Sequence, residues 1–122
     1  MSGKKLYIIV AIALIAGLLN TGCIKIETLP QLEIQVVDET GAIVSGASVA
    51  LFDSSDEWNK RINPVQVWRQ TDTSGKVLFV DLKEIKYFVY VRYDGKDNSV
   101  DEVSTDVALE VNTKKVMTIH IR

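Results

Sequence analysis

Few side chains in this sequence could carry chemistry, and each kind points to a different one. Cys23 is the only thiol and His120 the only imidazole. One Cys can form neither an internal disulfide nor a Cys-based zinc site. One His makes a Ser/His/Asp triad or a multi-His metal centre hard to build, and His120, alternating with Ile119 and Ile121, is expected to point outward from a strand. Trp58 and Trp68 could stack on a sugar ring if their indoles are exposed; the alternative is that each covers the edge of the core and donates its N–H to a backbone carbonyl. Asp94, Asp97, Asn98, Asp101 and Glu102 fall within nine residues and offer oxygen ligands for Ca2+, although their spacing is not that of an EF-hand. A lysine-to-asparagine crosslink inside the core would need an inward Lys and an inward Asn, and the strand pattern supplies neither.

The remaining composition excludes further classes. Across 122 residues, 14 Lys+Arg stand against 16 Asp+Glu, a net charge of -2, which gives no basic field for holding phosphates and so no nucleic-acid partner. No nucleophile, base and orienting group occur at a readable spacing, so the chain is expected not to be an enzyme and to use no cofactor.

The apolar residues are unevenly placed. Lys4 and Lys5 precede an uncharged run from Leu6 to Leu19, and Asn20-Thr21-Gly22 leads to Cys23. This is the order of a bacterial secretory signal, and the run is shorter than the roughly 20 apolar residues that span a membrane. The placement of Cys23 directly after Gly22 resembles a lipoprotein signal. That resemblance implies cleavage before Cys23, a diacylglycerol on its thiol and lasting attachment to the membrane, since more than one acyl chain is needed for stable anchoring. It also implies a place in the cell envelope, and Ile24 in the position where an Asp retains many such proteins in the inner membrane points to the outer membrane. Residues 1–22 are then the signal peptide, residues 23–31 a lipidated tether broken by Pro30, and residues 32–122 one domain. Loss of the signal removes two lysines and no acid, leaving a net charge of -4.

The elements that must position these residues have period two almost throughout. Leu32, Ile34 and Val36 alternate with Glu33, Gln35 and Val37, and Ala47, Val49 and Leu51 with Ser48, Ala50 and Phe52. Further strands are expected over Val65–Thr71, around Val77 and Phe79, over Tyr87–Arg92, over Thr105–Val111 and over Lys115–Ile121. Residues 53–64 read as a long loop with one helical turn from Ser55, and residues 94–98 as a loop. Seven short strands with a turn signal about every ten residues indicate an all-β, antiparallel Greek-key sandwich with no helix in its core. Its core is expected to comprise Ile34, Val36, Val49, Leu51, Phe79, Leu82, Tyr87, Val89, Val107, Leu109, Ile119 and Ile121.

Two segments carry a resemblance. Asp38-Glu39-Thr40-Gly41-Ala42-Ile43-Val44-Ser45-Gly46-Ala47-Ser48-Val49-Ala50-Leu51 and Thr71-Asp72-Thr73-Ser74-Gly75-Lys76-Val77-Leu78-Phe79-Val80-Asp81-Leu82 are similar to the two patterns of the carboxypeptidase regulatory-like domain, a transthyretin-like sandwich. In that family these positions close turns and fill the core, so the resemblance implies an architecture and an accessory or adhesive role. The expected protein is a lipid-anchored envelope lipoprotein presenting a non-catalytic interaction or structural module, its partners being the membrane and an envelope protein. The alternative is a carbohydrate- or peptide-binding module that uses Trp58 and Trp68, with a glycan as partner.

Overall fold

The computed structural model describes residues 26–122; the signal segment and Cys23 lie outside the described residues. Seven strands occur among the described residues: β1 (Gln31–Asp38), β2 (Ser48–Phe52), β3 (Arg69–Gln70), β4 (Lys76–Phe79), β5 (Phe88–Tyr93), β6 (Lys96–Asp97) and β7 (Lys114–Ile121). They form a three-stranded sheet in the order β4-β1-β7 and a four-stranded sheet in the order β3-β2-β5-β6. The two sheets pack face to face as an all-β sandwich, as the alternation predicts.

Between the sheets, every second residue of β1 (Leu32, Ile34, Val36) meets Val49 and Leu51 of β2, Val77 and Phe79 of β4, Val89 and Val91 of β5, and Ile119 and Ile121 of β7. Tyr87 seals one end of this core and its hydroxyl accepts from the backbone N–H of Lys83 at 2.8 Å. This reach back over four residues is the corner arrangement that pins a crossing connection in Greek-key sandwiches. Burial raises the Tyr87 hydroxyl above its ordinary pKa.

The two segments that carry the family resemblance fold into a repeated turn. Asp38 Oδ1 accepts from the N–H groups of Thr40 and Ala42 at 2.8 and 3.0 Å, and Asp72 Oδ1 accepts from those of Ser74 and Lys76 at the same two distances. Gly41 and Gly75 occupy the left-handed region three residues after each Asp. Gly75 is also hemmed in: a Cβ there would lie 2.5 Å from Ile43 Cγ2 and 3.1 Å from the Val36 carbonyl oxygen.

Several expectations need correction. The β1–β7 pair is parallel, with Gln31 opposite Lys114 and Asp38 opposite Ile121, while the other ladders are antiparallel. The strand expected over Val65–Thr71 shrinks to Arg69–Gln70. No strand forms over Thr105–Val111, where Asp106 takes a positive φ of 67° and breaks the extended backbone. Val107 is 65% exposed and leaves the core. Lys96–Asp97, expected as loop, pairs with Arg92 and Tyr93.

A helix also contributes to the interior, against expectation. Helix α1 (Ser55–Lys60) is capped by Ser54, whose hydroxyl accepts from the Glu57 N–H, and ends at Arg61 in the left-handed conformation. It lies on the outer face of the four-stranded sheet, where Trp58, Ala50, Phe52, Phe88 and Tyr90 form a second apolar cluster with Trp68 at its margin. The four-stranded sheet is therefore covered on both faces, and β2 is buried at Val49, Ala50, Leu51 and Phe52 alike.

Candidate functional site

The second cluster gathers both tryptophans. Trp58 and Trp68 meet Tyr90 edge to face from two directions, with ring centroids 6.3 and 6.0 Å away. Two arginines lie over the rings: the Arg61 guanidinium is 3.9 Å from the centre of Tyr90, and that of Arg92 is 4.4 Å from the centre of Trp68. Such cation–aromatic contacts contribute about 0.5 to 1 kcal/mol each when exposed. Arg61 is further held by donating to the carbonyls of Trp58 and Asn59.

This geometry decides what the indoles can do. Trp58 is only 3% exposed, and its N–H donates to the Val89 carbonyl at 2.8 Å. It is a core residue that fastens α1 to β5, and stacking a sugar ring requires a face that solvent reaches. Trp68 is half-buried, with the Arg92 guanidinium over its ring. Trp58 thus follows the alternative reading, an indole on the core whose N–H is given to a backbone carbonyl, and Trp68 lies at the margin of the same aromatic cluster. Beside it lies a concavity of about 350 Å3 lined by Ser48, Arg92, Tyr93 and Lys96, among others.

The acidic loop is likewise engaged within the fold. Asp97 Oδ1 accepts from the Ser99 N–H and hydroxyl at 2.9 and 2.6 Å, and its Oδ2 accepts from the Tyr90 hydroxyl at 3.1 Å. The Ser99 hydroxyl, followed by the Ser99 backbone N–H, holds the Asp97 carboxyl below its ordinary pKa. Asn98 is buried. Its Oδ1 accepts from the Val91 N–H, and its Nδ2 donates to the Val89 carbonyl, both at 2.9 Å. Its side chain therefore takes the place of a neighbouring strand, and it is an inward Asn that the alternation did not supply. Asp101 pairs with Arg122 at 3.7 Å, and Glu102 accepts from the Ser55 hydroxyl. Asp94 sits in the left-handed region. The candidate calcium ligands Asp94, Asp97 and Asp101 do not converge, and among the described residues no group of three or more His, Cys, Asp or Glu side chains is placed to hold a metal ion.

His120 is exposed on β7, as its alternation predicts. It borders a groove of about 340 Å3 between β7 and the loop from Asn98 to Val103, also lined by Val100, Asp101, Ile119 and Arg122. Neither this groove nor the exposed edge of β7 beside it was legible in the sequence, because both arise from the parallel pairing of strands more than 70 residues apart.

The candidate lipidation residue, Cys23, lies outside the described residues. The chain is fixed to the domain a few residues later: the Thr28 N–H donates to Asn112 Oδ1, and the Asn112 N–H to the Thr28 carbonyl, both at 2.8 Å. The Pro30 carbonyl accepts from the Leu82 N–H at 3.2 Å. Residues 28–30, expected within the tether, are thus part of the folded unit, while Ile26 remains exposed. Among the described residues no helix is long and apolar enough to cross a membrane.

No family model matches the chain, and no curated protein matches it. Solved structures do. Over 93% of its length the chain is similar to part of the Bacillus anthracis TIE protein, with a TM-score of 0.56 and 16% identity. Over 75% it is similar to the pilus 2b backbone protein of group B streptococcus (TM-score 0.53, 21% identity). Over 78% it is similar to BcpA, the major pilin subunit of Bacillus cereus (TM-score 0.53, 16% identity). The chain spans 18%, 40% and 30% of those three chains. At these identities the likeness establishes the β-sandwich fold, one that pilus subunits also use.

Proposed function

We propose that this protein is a lipid-anchored module of the bacterial cell envelope that acts by binding another protein, without catalysis. The use of its candidate groups carries this reading. Trp58, Asp97 and Asn98, the side chains best suited to ligand chemistry, are bonded within the fold, which leaves the outer surface and strand edges as the means of interaction. The likeness to a pilus backbone protein and a major pilin supports a structural or interaction role over a reaction. The sandwich is of the carboxypeptidase regulatory-like kind, a reading supported by the twin turns at Asp38–Gly41 and Asp72–Gly75 in the two segments that match that family's patterns.

The anchor is the acylated Cys23, and the outer membrane is its location. Attachment of Thr28 to Asn112 leaves only a short link between Cys23 and the domain, so the sandwich stands close to the membrane surface. Crosslinking of intact envelopes followed by purification of the protein tests the reading. A specific protein partner is expected with the wild type, and loss of palmitate labelling is expected with Cys23→Ser. Recovery of a glycan in place of a protein partner, or palmitate labelling of Cys23→Ser equal to that of the wild type, would contradict it.

A further inference from the structure

The four sheet edges are unequal. Two edges of the four-stranded sheet are the two-residue strands β3 and β6, and one edge of the three-stranded sheet is the four-residue β4. The remaining edge is β7, with eight residues. Proteins usually blunt a long edge with a proline, a bulge or a charge pointing into the sheet, and from Val116 to Ile121 β7 has none of these.

Its open side can be read from the ladder. The Gln31 N–H donates to the Thr113 carbonyl, and in a parallel pair alternate residues of a strand bond to the same neighbour. The odd-numbered residues of β7 therefore bond to β1, and the N–H and C=O groups of Lys114, Val116, Thr118 and His120 face the other way. Arg122, next in that series, does find a partner: it exchanges both backbone hydrogen bonds with Asp97, at 3.0 and 3.2 Å. Among the described residues Val116, Thr118 and His120 have no backbone partner on that side. The groove of about 340 Å3 borders this edge from Thr118 to Arg122, with Val100, Val103 and Ile119 in its lining, and Val100 and Val116 are 64% and 57% exposed.

We infer that the open edge of β7 accepts an extended strand of a partner protein, with an acidic side chain opposite Lys114 and apolar side chains entering the groove at Val100 and Val103. Strand addition of this kind draws affinity from the main-chain bonds and specificity from alternate side chains. The sign of the partner follows from β7 itself, which with Arg122 carries Lys114, Lys115 and Arg122 and no acid over nine residues. Arg122 is balanced by Asp101 at 3.7 Å, whereas Lys114 shares the single carboxylate of Glu33 with Lys76, at 3.1 and 3.8 Å, so the added strand meets an excess of positive charge at the Lys114 end. A second copy of β7 laid antiparallel would bring lysines against Arg122, and like charges placed opposite one another oppose pairing. The inference rests on the interaction-module reading and supplies the chemistry of its partner.

The test uses the full-length protein in detergent and a nine-residue synthetic peptide alternating Glu with Ile, beside the same peptide with Lys for Glu and one with alternate backbone amides N-methylated. Binding read by fluorescence anisotropy is expected for the Glu peptide alone, with amide exchange at Val116, Thr118 and His120 slowed at least tenfold. Thr118→Pro, which removes one N–H from the open side, is expected to weaken binding at least tenfold. The N-methylated peptide tests the same bonds if that variant does not fold. Equal binding of the Glu and Lys peptides, protection mapped elsewhere, or binding indifferent to N-methylation would overturn the inference, as would a peptide-free dimer protected at these three amides. Capture of an envelope protein that Thr118→Pro leaves intact would overturn the edge while leaving the interaction-module reading in place.

Discussion

Gly41 and Gly75 occupy equivalent places in twin turns, and replacing each by Ala separates two physical effects. Both have φ in the left-handed region, at 88° and 73°, where a side chain costs about 1 to 2 kcal/mol. At Gly41 a new Cβ would meet nothing within 4 Å, so that cost is the whole effect. At Gly75 the Cβ would fall 2.5 Å from Ile43 Cγ2, 3.1 Å from the Val36 oxygen and 3.3 Å from the Val44 oxygen. Ile43 is exposed and can swing away, but the two carbonyls belong to a hydrogen-bonded stretch in which the Val36 N–H donates to the Gly75 oxygen at 2.8 Å and the Val44 N–H to the Val36 oxygen at 2.9 Å. Crowding of this kind adds about 1 to 3 kcal/mol. Gly75→Ala is therefore expected to lose about 2 to 5 kcal/mol and Gly41→Ala about 1 to 2 kcal/mol. A difference of 1 kcal/mol corresponds to about 4 to 8 °C in Tm for a domain of this size. Thermal unfolding followed by tryptophan fluorescence reads the difference, because Trp58 is buried. Equal melting of the two variants would refute the packing described around Gly75.

Phe79 is fully buried between the sheets, and Phe79→Ala should cost about 3 to 5 kcal/mol in urea unfolding; a wild-type midpoint would place the ring outside the core. Thr71 is buried, donating to the Val44 carbonyl and accepting from the Ala47 N–H at 2.8 and 2.9 Å. Thr71→Val leaves both groups unpaired and should cost about 1 to 3 kcal/mol, again read from the urea midpoint. The carboxyls of Asp38 and Asp72 are held below their ordinary pKa, the first chiefly by the Thr40 hydroxyl and the second chiefly by the Lys76 N–H. A depressed folded pKa means that the unfolded chain takes up protons first. The stabilisation is therefore present above about pH 3.9 and is lost as the pH falls through the folded values. A double Asp38→Asn, Asp72→Asn variant should keep the turns but show a flatter decline in Tm below pH 4, and an unchanged acid profile would remove these turns as its cause.

The sequence made the inter-sheet core readable wherever a strand is covered on one face. Leu32, Ile34 and Val36 alternate cleanly because Glu33 and Gln35 face outward, and Glu33 lies between Lys76 and Lys114 at 3.8 and 3.1 Å. Where both faces are covered, period two loses its meaning. The unbroken apolar stretches Val49–Phe52 and Phe88–Val91 are signatures of strands buried on both sides, and the cover over the outer face is a six-residue helix too short to show a 3.6-residue period. Its start was nonetheless written in the sequence, since Ser54 followed three residues later by Glu57 has the spacing of a capping box. Val107, Leu109 and Val111 imitate a strand, but only Leu109 is buried. That segment is held instead by the Thr105 hydroxyl, which accepts from the Tyr87 N–H and donates to the Val107 carbonyl. Asn98 gave no signal at all, since a loop asparagine becomes a strand substitute only once β5 presents Val89 and Val91 to it. The open edge of β7 depends on which distant strand lies beside it, information that local patterning does not contain.

If, as proposed, the folded sandwich is held at the membrane by a lipid on Cys23, the mass of the protein purified from membranes shows it. The expected mass is that of a chain beginning at Cys23 with a diacylglyceryl group on its thiol, with neither feature present in Cys23→Ser. An unlipidated chain retaining residues 1–22, in the wild type as in the variant, would contradict it.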